Sequence, residues 1–184
     1  SPSHLAGIDR AGRLPALLDV VGHSVEQAIG QQDFAIGLPV TRRASAATEH
    51  LVACLIDTVS VRRRPGTATS ATVAAVLQHA DLPFAEVARM SPRVGGGRNP
   101  VYQVMAVLQD SPEPQLLLPG SQVRLSHDAE AHRPLSELII EFFPGAHSRP
   151  RLRIMRDPDR VGHATMAAVV AGLTARLDTL ARAS

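Results

Sequence analysis

The chain has 184 residues, of which 45% are hydrophobic and 20% are charged. This length and composition are typical of one globular domain with a buried core. The formal net charge is only +2, and one Tyr and four Phe are available for base stacking, so nucleic-acid binding is not expected. No run approaches the roughly 20 apolar residues of a membrane span, and no signal-like leader opens the sequence, so we expect a cytoplasmic protein.

The first elements follow from the spacing of apolar residues. A helical stripe predicts a helix over residues 14–29, with Gly30 as its stop. The apolar run 33–40 predicts a buried strand, and residues 51–61 predict another β-rich segment. Cys54 lies in that segment and is predicted to be a small buried hydrophobe. As the chain has one cysteine, no internal disulfide is possible.

The middle of the chain predicts helices and a loop. Residues 65–66 are Pro-Gly and break the chain before a predicted helix over 67–80. A short helix should follow, with Asp81 as its cap and Pro83 in its first turn. Residues 95–97 are three glycines, which indicate a flexible loop.

The last third of the chain predicts most of a sheet. Residues 101–108 and 122–125 are predicted strands, and residues 135–143 with 151–155 are predicted to form a hairpin. A helix over about 162–180 closes the chain. Helices combined with these apolar strands predict a layered α/β domain.

The sequence offers no convincing metal site. Its eight histidines are scattered, and none is paired with another His, Cys or carboxylate at a spacing typical of zinc or iron ligands. We therefore predict that the protein binds no metal.

Three separated segments resemble core motifs of the condensation domains of nonribosomal peptide synthetases. Residues 51–62 (LVACLIDTVSVR) are similar to IGxFVNTxxxR, 79–84 (HADLPF) to HQDxPFE, and 98–105 (RNPVYQVM) to SRNPLFQVMF. The strand 33–40 and the arginines after it are similar to DDVVVGTPVAGR. The resemblance covers nearly the whole chain. It implies a single domain over 1–184, the C-terminal lobe of a condensation domain: an α/β lobe like chloramphenicol acetyltransferase, with a mixed sheet covered by helices.

The resemblance also implies a function. In this family two lobes form a channel in which a carrier-bound acyl or peptidyl thioester and an aminoacyl thioester are joined by an amide bond, and this lobe would form one wall. The implied partners are the N-terminal lobe, peptidyl carrier proteins and an adjacent adenylation domain. No cofactor is expected to bind directly, because 4'-phosphopantetheine is carried by the carrier proteins.

The motif HHxxxDG belongs to the family's N-terminal lobe, and this sequence contains no His-His pair. We therefore assign no catalytic residue and expect the chain alone to be inactive. Two alternatives stay open. One is a degenerate, non-catalytic lobe that docks a carrier protein or tailoring enzyme, and the other is a lobe of a related acyltransferase.

The candidate residues of the substrate channel are Asp57, Arg98 and Asn99. Asp57 stands where the family usually has Asn, which removes a donor and adds a charge. Pro100 fixes the backbone and drives the residue before it into an extended conformation, which aims Arg98 and Asn99 reproducibly. Structural roles are expected for the remaining motif residues, Arg42, Arg43, Asp81, Pro83, Phe84 and Pro100.

The segment between the predicted strands at 101–108 and 122–125 contains three consecutive leucines, at positions 116–118. A solvated loop does not ordinarily carry such a run. The loops at 95–97 and 111–120 are therefore predicted to form an apolar face that is left uncovered in the isolated lobe.

Overall fold

A computed structural model describes residues 10–43, 45–109, 118, 120–121, 134–144 and 151–182. Its elements, in chain order, are α1 (Arg10–Ile29), β1 (Phe34–Thr41), α2 (Ala46–Glu49), β2 (Ile56–Arg63), α3 (Thr69–Gln78), α4 (Phe84–Met90), β3 (Val104–Leu108), β4 (Leu138–Phe143), β5 (Arg151–Arg156) and α5 (His163–Arg182).

The five named strands form one mixed sheet in the order β2-β1-β3-β4-β5. Strand β1 is antiparallel to β2 and parallel to β3. Strand β3 is parallel to β4, which is antiparallel to β5. The strands around Ile36, Val104 and Ile140 therefore share one sheet, as predicted, and so does the predicted terminal hairpin.

One face of the sheet carries the core. Alternate residues of a strand point to the same face, and Ile36 and Leu38 of β1 and Ile140 and Phe142 of β4 are each at most 3% exposed. They belong to one apolar cluster with residues of α1, α3 and α5. The prediction that the first and last helices cover the sheet is confirmed.

Helices α1 and α5 cross closely over this face. A Cβ atom placed on Gly172 of α5 would lie 3.1 Å from both Cα and Cβ of Ser24 in α1. Ser24 is itself fully buried, and its hydroxyl donates to the backbone oxygen of Val20 at 2.7 Å. Small residues on both helices thus allow the backbones to approach.

The prediction that Cys54 is buried is wrong, because its side chain is exposed. Strand β2 begins at Ile56, five residues later than the start of the apolar run. Val52 is fully exposed, and Leu51 is 49% exposed. The apolar run therefore starts on the surface and enters the sheet only at its end.

The prediction that Asp81 caps the following helix is also wrong. The N-cap of α4 is Pro83, which provides no side-chain cap. The N–H of Phe84 instead donates to a carboxylate oxygen of Asp57 at 3.3 Å. A residue 27 positions earlier in the chain thus satisfies a backbone donor at the start of this helix.

Two predictions fall wholly or largely outside the described residues. The predicted strand 122–125 is one of them. The leucine run is the other, except for Leu118, which is 49% exposed and forms an isolated bridge with Ser121. Among the described residues, no helix is long and apolar enough to cross a membrane. In the same part of the chain, no group of three or more His, Cys, Asp or Glu side chains could hold a metal ion.

Candidate functional site

Tyr102 lies over strand β1, on the sheet face opposite α1 and α5. Because Ile36 and Leu38 point to the core, Gly37 between them points to this other face. A Cβ on Gly37 would lie only 2.5 Å from Cε2 of Tyr102, so the ring rests directly on the glycine. A second neighbour is Phe84, whose ring centroid is 5.4 Å from that of Tyr102. Tyr102 is thereby buried between β1 and the start of α4.

The ring of Tyr102 also lies beside two other elements. Thr58 on β2 and Asn99 in the turn before β3 are neighbours of its hydroxyl that act to lower its pKa. Burial raises the pKa of Tyr102, as does the negative charge of Asp57, and the rise outweighs the effect of these two neighbours. Tyr102 therefore stays neutral near pH 7 and packs where β1, β2 and the turn before β3 meet.

Asp57 receives hydrogen bonds from three residues. The Arg42 guanidinium donates through Nε at 3.1 Å and Nη2 at 2.5 Å, and the N–H of Thr58 donates at 2.7 Å. Together with the N–H of Phe84, these donors hold the pKa of Asp57 below its ordinary value, although burial alone would raise it. Asp57 is thus ionised, and its carboxylate links the end of β1 and the start of α4 to strand β2.

The two arginines after β1 hold different segments. Arg42 also donates through Nη1 to the backbone oxygen of Asp81 at 3.3 Å, which fixes the connection between α3 and α4. Arg43 donates to four backbone oxygens at 2.7–3.4 Å, those of Thr48, Glu49, Leu51 and Ala53. A single guanidinium therefore satisfies several carbonyl groups of the loop before β2.

Arg98 and Asn99 point to different contacts. The Arg98 guanidinium forms a bidentate pair with Glu137, through Nε at 2.6 Å and Nη2 at 2.9 Å. Asn99 Oδ1 accepts the N–H groups of Val101 at 2.9 Å and Tyr102 at 3.2 Å. This side-chain turn occupies backbone donors that a strand would use, so β3 begins at Val104 rather than at residue 101.

No family model matches the chain. Among curated proteins, a plipastatin synthase chain of Bacillus subtilis is 29% identical over 125 residues, which is 61% of this chain and 5% of that protein. A probable non-canonical nonribosomal peptide synthetase of Salinispora arenicola, CymA, is 30% identical over 119 residues, or 59% of this chain and 2% of that protein. The chain thus spans only a small part of the length of these relatives.

Solved structures share the fold. The first condensation domain of the CDA synthetase superposes with a TM-score of 0.66 at 19% identity, over 98% of this chain and 42% of that one. The condensation domain of the Monacolin K polyketide synthase MokA gives 0.65 at 15% identity, over 90% and 41%. The chain is condensation-domain-like. The predicted α/β fold, similar to chloramphenicol acetyltransferase, is confirmed.

The condensation-domain-like chain brings most of its predicted site residues together. Arg42, Asp57 and Phe84 form one hydrogen-bonded group, and Asn99 is linked to it through Tyr102. Arg98 lies against Glu137 instead, and Arg43 holds the loop before β2.

Two residues of the site were not among the sequence-derived candidates. Tyr102 is the single tyrosine of the chain and lies inside a motif-like segment, and Gly37 interrupts an apolar strand. A glycine within a strand indicates a close approach of another group. That signal was available, but it does not reveal which side chain fills the space.

Neither Asp57 nor Tyr102 is poised for proton transfer near pH 7. The pKa of Asp57 is lowered by its hydrogen bonds, and that of Tyr102 is raised by burial. A general acid or base needs a pKa near the working pH, and both shifts move the pKa of the group further from 7. Asp57 and Tyr102 are therefore suited to holding neighbouring segments in place and so to shaping the surface of the site.

Proposed function

We propose that this chain is the C-terminal lobe of a nonribosomal peptide synthetase condensation domain and forms one wall of the channel between two lobes. One observation carries the proposal: the three motif-like segments, far apart in sequence, contact one another around Tyr102. Thr58 comes from the first segment, Phe84 from the second and Asn99 from the third. If the three segments build one site, they must lie close together in the fold, and their contacts around Tyr102 meet that requirement.

The proposed reaction is amide formation between two carrier-bound thioesters. The amine nitrogen of the aminoacyl group attacks the carbonyl carbon of the acyl or peptidyl thioester, a C–N bond forms, the C–S bond breaks, and the amine proton leaves as the thiol is released. Holding both reactants in one channel can supply roughly 7–11 kcal/mol of barrier reduction. Asp57, Arg98 and Asn99 are the residues of this lobe that we propose shape the channel wall.

The proposed partners follow from the same assignment. An N-terminal lobe would supply HHxxxDG, and peptidyl carrier proteins would bring substrates on 4'-phosphopantetheine. An adenylation domain would adjoin the lobe. The four-domain nonribosomal peptide synthetase AB3403, whose structure was determined with AMP and glycine, supports this setting, since it matches 98% of this chain with a TM-score of 0.78 at 12% identity.

Reconstitution tests the proposal. We expect no dipeptidyl product from the isolated chain with loaded carrier proteins, and product once a lobe bearing HHxxxDG is co-expressed with it. Mass spectrometry of the acceptor carrier is the readout, and an intact two-lobe domain is the positive control. Product from the chain alone, or none from the assembled pair while the control is active, would contradict the proposal.

A matched pair of arginines tests the channel assignment within that assay. Arg98 pairs with Glu137 at 2.6 and 2.9 Å, and Arg62 pairs with Asp33 at 2.7 and 2.7 Å. Both ion pairs are bidentate and lie near the surface. Arg98→Ala should lower product formation by about tenfold or more, whereas Arg62→Ala should leave it unchanged. Equal losses would show that Arg98 acts only through stability.

A related acyltransferase is the second candidate. The observation in its favour is the similarity to a structure described as the basis for condensation domain-mediated chain release from the enacyloxin polyketide synthase, with a TM-score of 0.57 at 16% identity. An acceptor with a hydroxyl in place of the amine distinguishes the two in the reconstitution assay. Ester product without amide product would favour this candidate, and carrier binding without either product would favour a docking lobe.

A further inference from the structure

Helices α3 and α4 lie on opposite faces of the sheet beside strand β2. Val73 and Val76 of α3 pack in the core cluster with Val59, whereas Phe84 of α4 packs on Tyr102 at the other face. The connection between the helices crosses the edge of β2 near Asp57, where Arg42 and Phe84 hold it. Beyond that crossing, the edge strand forms the floor of a groove between the two helices.

The groove has a volume of about 310 Å³, at the lower end of the range for ligand sites. Its walls are mainly apolar, formed by Val59, Ala75, Val76, Leu82, Phe84 and Val87. Three hydroxyl residues, Thr58, Ser60 and Thr72, add hydrogen-bonding groups. Within the described part of the lining, His79 is the only ionisable residue. A charged occupant would thus lose hydration and would find no carboxylate or guanidinium among these lining residues.

The register of the sheet shows which backbone groups face this groove. The N–H of Arg42 donates to the oxygen of Leu55, directly opposite it, at 2.7 Å. Antiparallel pairs alternate between hydrogen-bonded and non-hydrogen-bonded positions, so Asp57 and Val59 bond to β1. The backbone groups of Thr58 and Ser60 therefore point to the free edge. Pro39, which has no N–H, lies opposite Thr58 and fits this register.

One pair of backbone groups is left open on the groove floor. The N–H of Thr58 is taken by the side chain of Asp57. Ser60 lies opposite Gly37 in a non-hydrogen-bonded pair, and among the described residues no other partner is found for its N–H and C=O. An added antiparallel strand could form two hydrogen bonds here, because Ser60 offers both a backbone donor and a backbone acceptor.

We propose that this groove binds an extended, uncharged apolar peptide segment of another protein, which adds to the edge of β2 by pairing with Ser60. The apolar walls accept its side chains, and the uncharged lining selects against acidic or basic ones. A pure hydrocarbon would cover the Ser60 groups without satisfying them, which costs free energy. The binding site goes beyond the proposed condensation role and requires none of its chemistry.

A titration with a defined peptide tests the site. The probe is acetyl-Thr-Val-Thr-Val-Thr-amide, and a version with an N-methyl group on its central threonine is the control. Amide resonances of residues 58–60 should shift saturably, and hydrogen exchange of the Ser60 amide should slow by at least threefold. The N-methylated peptide should bind at least tenfold more weakly, because it lacks a backbone donor.

Matched variants locate the binding. Leu82 lines the groove and is 52% exposed, and Leu77 is 43% exposed but does not line it. Leu82→Asp should weaken peptide binding at least tenfold, while Leu77→Asp should leave it unchanged. Ala75→Trp should fill the groove and abolish binding, with Ala74→Trp on the same helix as its control. Circular dichroism checks that each variant is folded.

Three results would overturn the proposal. The first is the absence of saturable shifts up to millimolar peptide. The second is equal binding of the N-methylated peptide, which would indicate a site for apolar small molecules. The third is a concentration-dependent shift of the groove amides without peptide, which would indicate a second copy of this chain as the occupant. None of these outcomes bears on the reconstitution assay.

Discussion

Asp57 connects three elements through one carboxylate, and its ionisation should therefore contribute to stability. Its pKa is lowered in the folded chain. A depressed carboxyl pKa stabilises the fold above the unfolded value, near 3.9, and this contribution disappears as the pH falls through the folded pKa.

Asp57→Asn keeps an acceptor for the backbone donors but loses the charge that pairs with Arg42. We expect it to lower the free energy of unfolding by about 1 kcal/mol at pH 7, and by less at pH 3. Urea unfolding at both pH values measures the difference. Asp81→Asn is the control, because Asp81 is exposed and only its backbone oxygen contacts Arg42. A pH-independent effect of Asp57→Asn would contradict the argument.

Gly37 and Tyr102 should be energetically coupled, because a Cβ on Gly37 would overlap the tyrosine ring. Gly37→Ala is expected to destabilise the fold by about 1–3 kcal/mol, the usual cost of overpacking. In a Tyr102→Ala background the same change should cost much less, and a double-mutant cycle measures this coupling. Gly95→Ala serves as a control, since a Cβ there has no neighbour within 4 Å. Additive effects of Gly37→Ala and Tyr102→Ala would show that the ring does not constrain Gly37.

At the scale of elements, the crossing of α1 and α5 depends on small residues. A β-branched side chain at Gly172 would press on the backbone of Ser24, since even a Cβ would lie 3.1 Å from its Cα. Gly172→Val should therefore lower the melting temperature by several degrees, with about 1–3 kcal/mol lost at the crossing. Ala171→Val, at an exposed position of the same helix, should change it little. Similar shifts for both variants would place the cost in helix propensity.

The sequence predicted elements well where a single local signal determines them. The apolar stripe of α1 and the Pro-Gly break before α3 placed those helices within a few residues of their observed ends. The start of β2 was misplaced because Arg43 satisfies the loop carbonyls, which no apolar pattern reveals. The cap of α4 was misassigned because Asp57 reaches it across the fold.

In the candidate site, too, local sequence signals predicted some features, whereas contacts between distant residues determined the others. Its motif-like segments were identifiable from sequence, yet the contacts that join them run through the ring of Tyr102, which packs on Phe84 and fills the space above Gly37. Those contacts depend on strand register. A one-residue shift of β1 would turn Gly37 toward the core and remove the room for the ring.

At the scale of the whole molecule, the isolated chain should self-associate. Leu118 is about half exposed, in a segment with two further leucines, and an uncovered apolar patch favours association. Sedimentation at rising concentration should show an increasing average mass, and Leu118→Ser should reduce it. A monomer over the full concentration range would count against this uncovered face.

The loop that Arg43 holds also contains a site for chemical labelling. Cys54 is the single cysteine of the chain, is exposed, and directly follows Ala53, whose backbone oxygen Arg43 binds at 2.9 Å. A maleimide dye would therefore attach at one defined position on a braced segment, without any engineered cysteine. Its fluorescence anisotropy would report tumbling of the whole chain, so that docking of the proposed partner lobe or carrier protein could be followed by the slowing of that rotation.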